Sequence, residues 1–145
     1  MDVTPLGACP DCPSAAGLPL VRENRAYQLL LQPGGHLEPD DTILMGAALR
    51  ELTEETGIDP RLVTPTCQHP VYIEYGRVPA RPDIGEPAHF HLDFGYSFVT
   101  RGEIGLIQES EVRGAGWYPR ATAERLVGPR IARAADPAAP PMRSR

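Results

Sequence analysis

The sequence predicts a mixed α/β domain, and three observations carry that expectation. The run "HFHLDFGYSFV" (89–99) alternates as a strand does. It sets Phe90, Leu92, Phe94, Tyr96 and Phe98 on one face and His89, His91, Asp93, Gly95 and Ser97 on the other. A helical pattern following Asp41 aligns Met45, Leu49, Leu52 and Thr56 on one stripe. A second amphipathic pattern, "ATAERLVGPRIARAA" (121–135), lies near the C-terminus and is broken or bent at Gly128-Pro129.

The remaining elements follow in chain order. Residues 1–17 read as an irregular N-terminal segment, because prolines and glycines interrupt any period. "LPLV" (18–21) and "YQLLLQ" (27–32) read as two strands joined by the polar turn "RENR". Pro33-Gly34-Gly35 ends the second strand, and residues 35–41 form a loop. Asp41 or Thr42 is placed to cap the helix, Gly57 to close it in the left-handed conformation, and Pro60 to prevent its continuation. Gly46 inside the helix costs roughly 1 kcal/mol against alanine, with no reason visible in the sequence. "PVYIEY" (70–75) reads as a strand, and "GRVPARPDIGEP" (76–87) as a long loop of the kind that is often functional. "GWYP" (116–119) suggests a last short strand, with Trp117 and Tyr118 at core and rim. Residues 136–145 read as a disordered tail.

Composition bounds the function. The 145 residues suit one core, and 41% hydrophobic with 23% charged residues is an ordinary globular balance. A net charge of -5 argues against general attraction to nucleic acid or to an anionic membrane. It also means that a phosphorylated ligand needs a cation or local arginines in order to approach. All 14 basic side chains are arginine, which excludes a P-loop and its lysine. No apolar run nears the ~20 residues of a membrane span, and the first residues lack the features of a secretory signal. A cytoplasmic, reducing location is therefore expected. Three cysteines do not suggest a disulfide framework. Cys9 and Cys12 have half the spacing of a zinc knuckle, but no second pair follows, so they read as loop thiols.

The helix carries the chemistry. Glu51, Glu54 and Glu55 are three and four residues apart and share a helical face, at a cost of roughly 0.2–0.5 kcal/mol per like-charged pair. Clustered acids on a helix are most often a solvated face. Here they are framed by Gly34-Gly35 on one side and Gly57-Ile58 on the other. Arg50, Glu51, Leu52, Glu54, Glu55, Gly57 and Ile58, with "QPGGHLEP" ahead of them, resemble the signature of the Nudix hydrolases. The resemblance covers roughly residues 18–135. One departure is a single extra residue between Gly35 and Arg50. The family's loop acid falls on Asp41 counted from the glycine, or on Thr42 counted back from the arginine, and Asp41 is expected to stand in for it. A second is the N-terminus, where the family's opening strand finds only a poor match.

The resemblance implies an α/β/α sandwich of the Nudix type, its mixed sheet flanked by a catalytic helix and a C-terminal helix. It implies hydrolysis of a pyrophosphate bond in a nucleoside diphosphate linked to another moiety, with Mg2+ or Mn2+ as cofactor. Magnesium prefers oxygen ligands, and clustered glutamates supply them. The implied metal set is Gly35 through its backbone, Asp41, Glu51, Glu54 and Glu55. Glu54 or Glu51 is the candidate base, and Arg50 holds the carboxylates in register. His89, His91 and Asp93 are expected to meet substrate, and Glu109 or Glu111 is a further candidate base. The expected partner is a nucleotide-type small molecule, with a homodimer left open. A Nudix-like domain that binds such a ligand without hydrolysing it is the alternative.

Overall fold

In the computed structural model, residues 2–8, 20–24, 29–107 and 112–128 are described, with side chains from residue 30 onward. Cys9, Cys12, Glu109, Glu111 and the tail at 136–145 lie outside them. Among the described residues, eight strands and two α-helices occur in the order β1 (Asp2–Ala8), β2 (Leu20–Asn24), β3 (Leu29–Leu31), β4 (Gly35–His36), α1 (Leu44–Thr56), β5 (Val63–Pro65), β6 (Tyr72–Val78), β7 (His89–Thr100), β8 (Val112–Trp117) and α2 (Arg120–Val127).

Two sheets result. β7 is the spine of the larger, mixed one: it pairs in parallel with β1 along one edge, while β5 and β6 share its other edge in antiparallel fashion. β4 extends this sheet beyond β1. The smaller sheet is antiparallel, in the order β3-β2-β8. Helix α1 packs against β1, β7 and β8, and α2 against β3. This is the α/β sandwich with a mixed sheet that the sequence predicts.

Several boundaries need correction. Residues 2–8 are not irregular: they form β1, paired residue for residue from Asp2↔Asp93 to Ala8↔Val99. A long partner strand overrides weak local propensity. Pro5 is tolerated because β4 pairs only with Asp2 and Val3, leaving β7 as the only strand neighbour at Pro5 among the described residues. Arg22, Glu23 and Asn24, expected as a turn, belong to β2 and pair with Leu31, Leu30 and Leu29. Likewise Gly76, Arg77 and Val78 are not loop: they continue β6 opposite His91, Phe90 and His89. The connection from β6 to β7 is thus shorter than expected. It holds one turn of 3-10 helix, Pro82–Ile84, inside an Arg81↔Glu86 bridge. Helix α2 ends at Val127, before Gly128.

The main core joins Ala47, Ala48, Leu52 and Ile58 to Tyr96 and Phe98 of β7, with Leu44, Met45, Leu49, Phe94 and Trp117 packed around them. A smaller cluster joins Tyr72 and Ala123, with Tyr118 beside it. At the end of α1, Gly57 is left-handed at φ 66°, and its N–H donates to the Thr53 carbonyl at 2.7 Å. A side chain there would strike the Leu106 backbone, so glycine is required twice over. Among the described residues, no helix is long and apolar enough to cross a membrane.

Gly46 has no such role, since a β-carbon there would meet only Ile43, at 3.9 Å. Gly46→Ala is expected to raise stability by roughly 0.5–1 kcal/mol, read as a higher denaturation midpoint at unchanged slope. An unchanged or lower midpoint would show that Gly46 serves a purpose other than helix structure.

Candidate active site

Helix α1 does not separate its acids from its core. The buried positions are Ala47, Ala48, Glu51, Leu52, Glu55 and Thr56, so two glutamates lie on the inner stripe itself. Glu51 retains 5% of its surface and Glu55 only 1%. Glu51 and Glu55 are thus not part of a solvated face. Apolar periodicity marks Leu52 but not the glutamates beside it, although residues 48, 51, 52 and 55 form one helical stripe.

Burying a carboxylate is costly unless it is paired and hydrogen-bonded. The Pro33–Gly35 segment provides part of the compensation. The Gly34 N–H donates to Oε2 of Glu55 at 2.8 Å. Gly35 lies so close to Glu51 that a β-carbon would come within 2.6 Å of its Oε1. The family resemblance implies a role for the Gly35 backbone at a metal. Here the glycine pair presents an N–H to one glutamate and bare backbone to the other.

Arg50 provides a further part at Glu51. Its Nη1 donates to Glu54 Oε2 at 2.9 Å and lies 3.1 Å from Glu51 Oε1. Its Nη2 donates to Asp41 Oδ2 at 2.9 Å and to the His36 carbonyl at 3.3 Å. Glu38 is nearby at 3.7 Å. The Asp41 hydrogen bonds, and then the charges of Glu51 and Glu54, raise the guanidinium pKa further despite partial burial. Arg50 thus anchors the loop to the helix and offsets part of the glutamates' repulsion.

Asp41 does not cap α1. The N-cap is Ile43, which makes no side-chain capping hydrogen bond. Asp41 Oδ2 instead accepts from the Glu38 N–H at 2.8 Å, and both its oxygens face Arg50. Asp41 thus reaches Glu51 and Glu54 through Arg50.

The histidine strand forms as expected. His89 and His91 share one face of β7, with Nε2 atoms 2.8 Å apart. The sequence reading missed His36, whose ring meets His91 edge-on with centroids 5.4 Å apart. Its only signal was its position directly after the glycine pair. Register separates the two groups: Gly35 and Phe94 both align with Val3, whereas His36 and Asp93 both align with Asp2. Gly35 faces Glu51 on the α1 side, so the histidines occupy the opposite face. The two meet at the edge strand β4, where the His36 backbone binds Arg50 and its ring binds His91.

The donor set around Gly35 consists of oxygen atoms only, which suits a hard divalent cation. Among the described residues, no three His, Cys, Asp or Glu side chains converge on one point as ligands. Arg50 stands between Glu51, Glu54 and Asp41. The oxygen chemistry of these groups fits such an ion.

Residues 15–139 match the NUDIX domain. The chain belongs to the NUDIX family. No curated protein matches it by sequence. Its fold is similar to that of a NUDIX-family hydrolase from Clostridium perfringens, with TM-score 0.67 and 19% identity over 92% of each chain. The NUDIX domain of Shewanella oneidensis NrtR, complexed with ADP ribose, gives 0.64 and 19% over 92% of this chain and 84% of the other. A C. elegans Ap4A hydrolase gives 0.62 and 14% over 91% and 93%. Membership of this family makes the chain a pyrophosphohydrolase.

Two outcomes test the site's electrostatics. Arg50→Ala leaves Glu51 as a buried charge without its arginine partner and is expected to cost about 3–5 kcal/mol of stability in chelator. The same change made on a Glu51→Gln background should cost clearly less, and equal costs would show that the pair is not coupled. The Asp41 carboxyl is held below its ordinary value of 3.8, first by Arg50 and second by the Glu38 N–H. A depressed folded-state pKa stabilises above the unfolded value and is lost as pH falls through the folded one. The stability gap between wild type and Asp41→Asn should therefore be widest near neutrality and close below pH 3.8. A gap independent of pH would disprove the ion pair.

Proposed function

We propose that this protein hydrolyses the pyrophosphate bond of a nucleoside diphosphate linked to another moiety, with Mg2+ or Mn2+ as cofactor. The observation that carries this reading is the pair of buried carboxylates, Glu51 and Glu55, held against Gly34-Gly35 with Glu54 beside them. Buried acids of one sign on one helix are costly, and a cation is the partner whose chemistry offsets that cost.

A divalent cation there would supply charge neutralisation at the phosphate oxygens and a more acidic water. Glu51, Glu54 and Glu55 would hold it, with Gly35 offering its backbone. Asp41 contributes by fixing Arg50, and Arg50 keeps Glu51 and Glu54 in register. Glu54 has the most accessible side chain among the carboxylates facing Arg50 on the helix, at 39% against 7% for Glu51. It is therefore the better placed to accept a proton from the attacking water. That water forms a bond to one phosphorus, the bridging P–O bond breaks, and two phosphorylated products leave. His89, His91 and Asp93 meet the part of the substrate that extends past β4. Relatives whose folds are similar include an ADP-ribose complex and an Ap4A hydrolase, which supports a nucleotide-type substrate.

Glu54→Gln keeps the size of the side chain but removes its charge. With the cation saturating, turnover on the best substrate from a panel of ADP-ribose, nucleotide sugars and dinucleotides should fall about a hundredfold or more. The variant should fold normally, because one of three like charges is gone. Turnover close to wild type would sink the assignment of Glu54.

A further inference from the structure

The histidines on β7 have a chemistry of their own. Nδ1 of His89 lies 2.9 Å from the Pro87 carbonyl oxygen. A carbonyl only accepts, so Nδ1 carries the hydrogen, and the neutral ring keeps its lone pair on Nε2. That lone pair faces Nε2 of His91 at 2.8 Å. Two ring nitrogens this close require an acid between them, either a proton or a metal ion. Glu86 Oε1 lies 3.5 Å from the same His89 nitrogen.

We propose that His89 and His91 form a second cation site, for zinc or another borderline divalent ion, with Glu86 as third donor. Metal-binding histidines typically give their other N–H to a carbonyl or carboxylate, which fixes the tautomer, and Pro87 already does this for His89. Imidazole with carboxylate suits zinc, nickel or cobalt, whereas magnesium favours the all-oxygen set at α1. The surroundings are acidic: Asp93 shares this face of β7, and Glu74 aligns with Asp93 on β6. Two other charged or titratable groups approach. The His36 ring lies 5.4 Å from that of His91, and Arg81 lies 3.9 Å from Oε2 of Glu86. Three donors do not yet converge on one point. The two nitrogens define the site, and rotation of the Glu86 side chain completes it.

This inference goes beyond the hydrolytic reading and does not depend on it, because the test measures binding in the resting protein. Zinc affinity is determined by competition with a chromogenic chelator, in excess magnesium to fill the carboxylate site. The thiols are alkylated first so that Cys9, Cys12 and Cys67 cannot contribute. Wild type should bind a single equivalent of zinc. His89→Ala and His91→Ala should each weaken this binding about a hundredfold or more, and Glu86→Gln roughly tenfold. Melting curves in chelator establish that each variant is folded. Zinc binding that is absent in wild type, or equal in wild type and both histidine variants, would overturn the proposal. Equal affinity in Glu86→Gln would remove Glu86 from it.

Discussion

The structure around α1 depends on the guanidinium of Arg50. It contacts Asp41 and the His36 carbonyl in the preceding loop, and Glu51 and Glu54 on its own helix. Removing water from Glu51 is tolerable because a fixed, permanently charged fork stands 3.1 Å away. Arg50 thereby couples three things that would otherwise vary independently: the path of the 35–41 loop, the rotamers of two glutamates and the position of the edge strand β4.

Stability and chemistry consequently share one helix face. Leu52 and Ala48 pack onto Tyr96 and Phe98, while Glu51 and Glu55, interleaved with them on the same stripe, meet Gly34 and Gly35. A shift of α1 that damaged the core would move the carboxylates as well, so close packing sets the precision of the acid cluster. The glycines act locally: one offers an N–H at 2.8 Å, and the other leaves room for a carboxylate that any β-carbon would displace.

The mixed sheet divides polar chemistry between its two sides. The alternation of β7 directs Phe94, Tyr96 and Phe98 toward α1 and its histidines away from it. At β4, which is two residues long, His36 reaches Arg50 through its carbonyl and His91 through its ring. A ligand that engaged the glutamates and the imidazoles together would have to pass this edge, which makes His36 the connecting residue.

Much was legible in the sequence because it is written in local periods and punctuation. The alternation of 89–99, the left-handed glycine after Thr56 and the spacing of Arg50, Glu51, Glu54 and Glu55 each fix a local conformation or a shared face without reference to distant residues. The N-terminal strand was not legible. Residues 2–8 have little strand propensity and become a strand only because β7 offers a long unpaired edge. The same holds for Gly76–Val78, which pair because β7 continues opposite them. Glu51 and Glu55 looked like surface acids, since hydrophobicity predicts burial only for apolar groups. Both are covered by the glycine pair far back in the chain, Gly35 against Glu51 and Gly34 against Glu55. Sequence determined which residues share a helix or strand face; the tertiary structure decided which of those faces is dry, because burial depends on what packs against a face and not on its own composition.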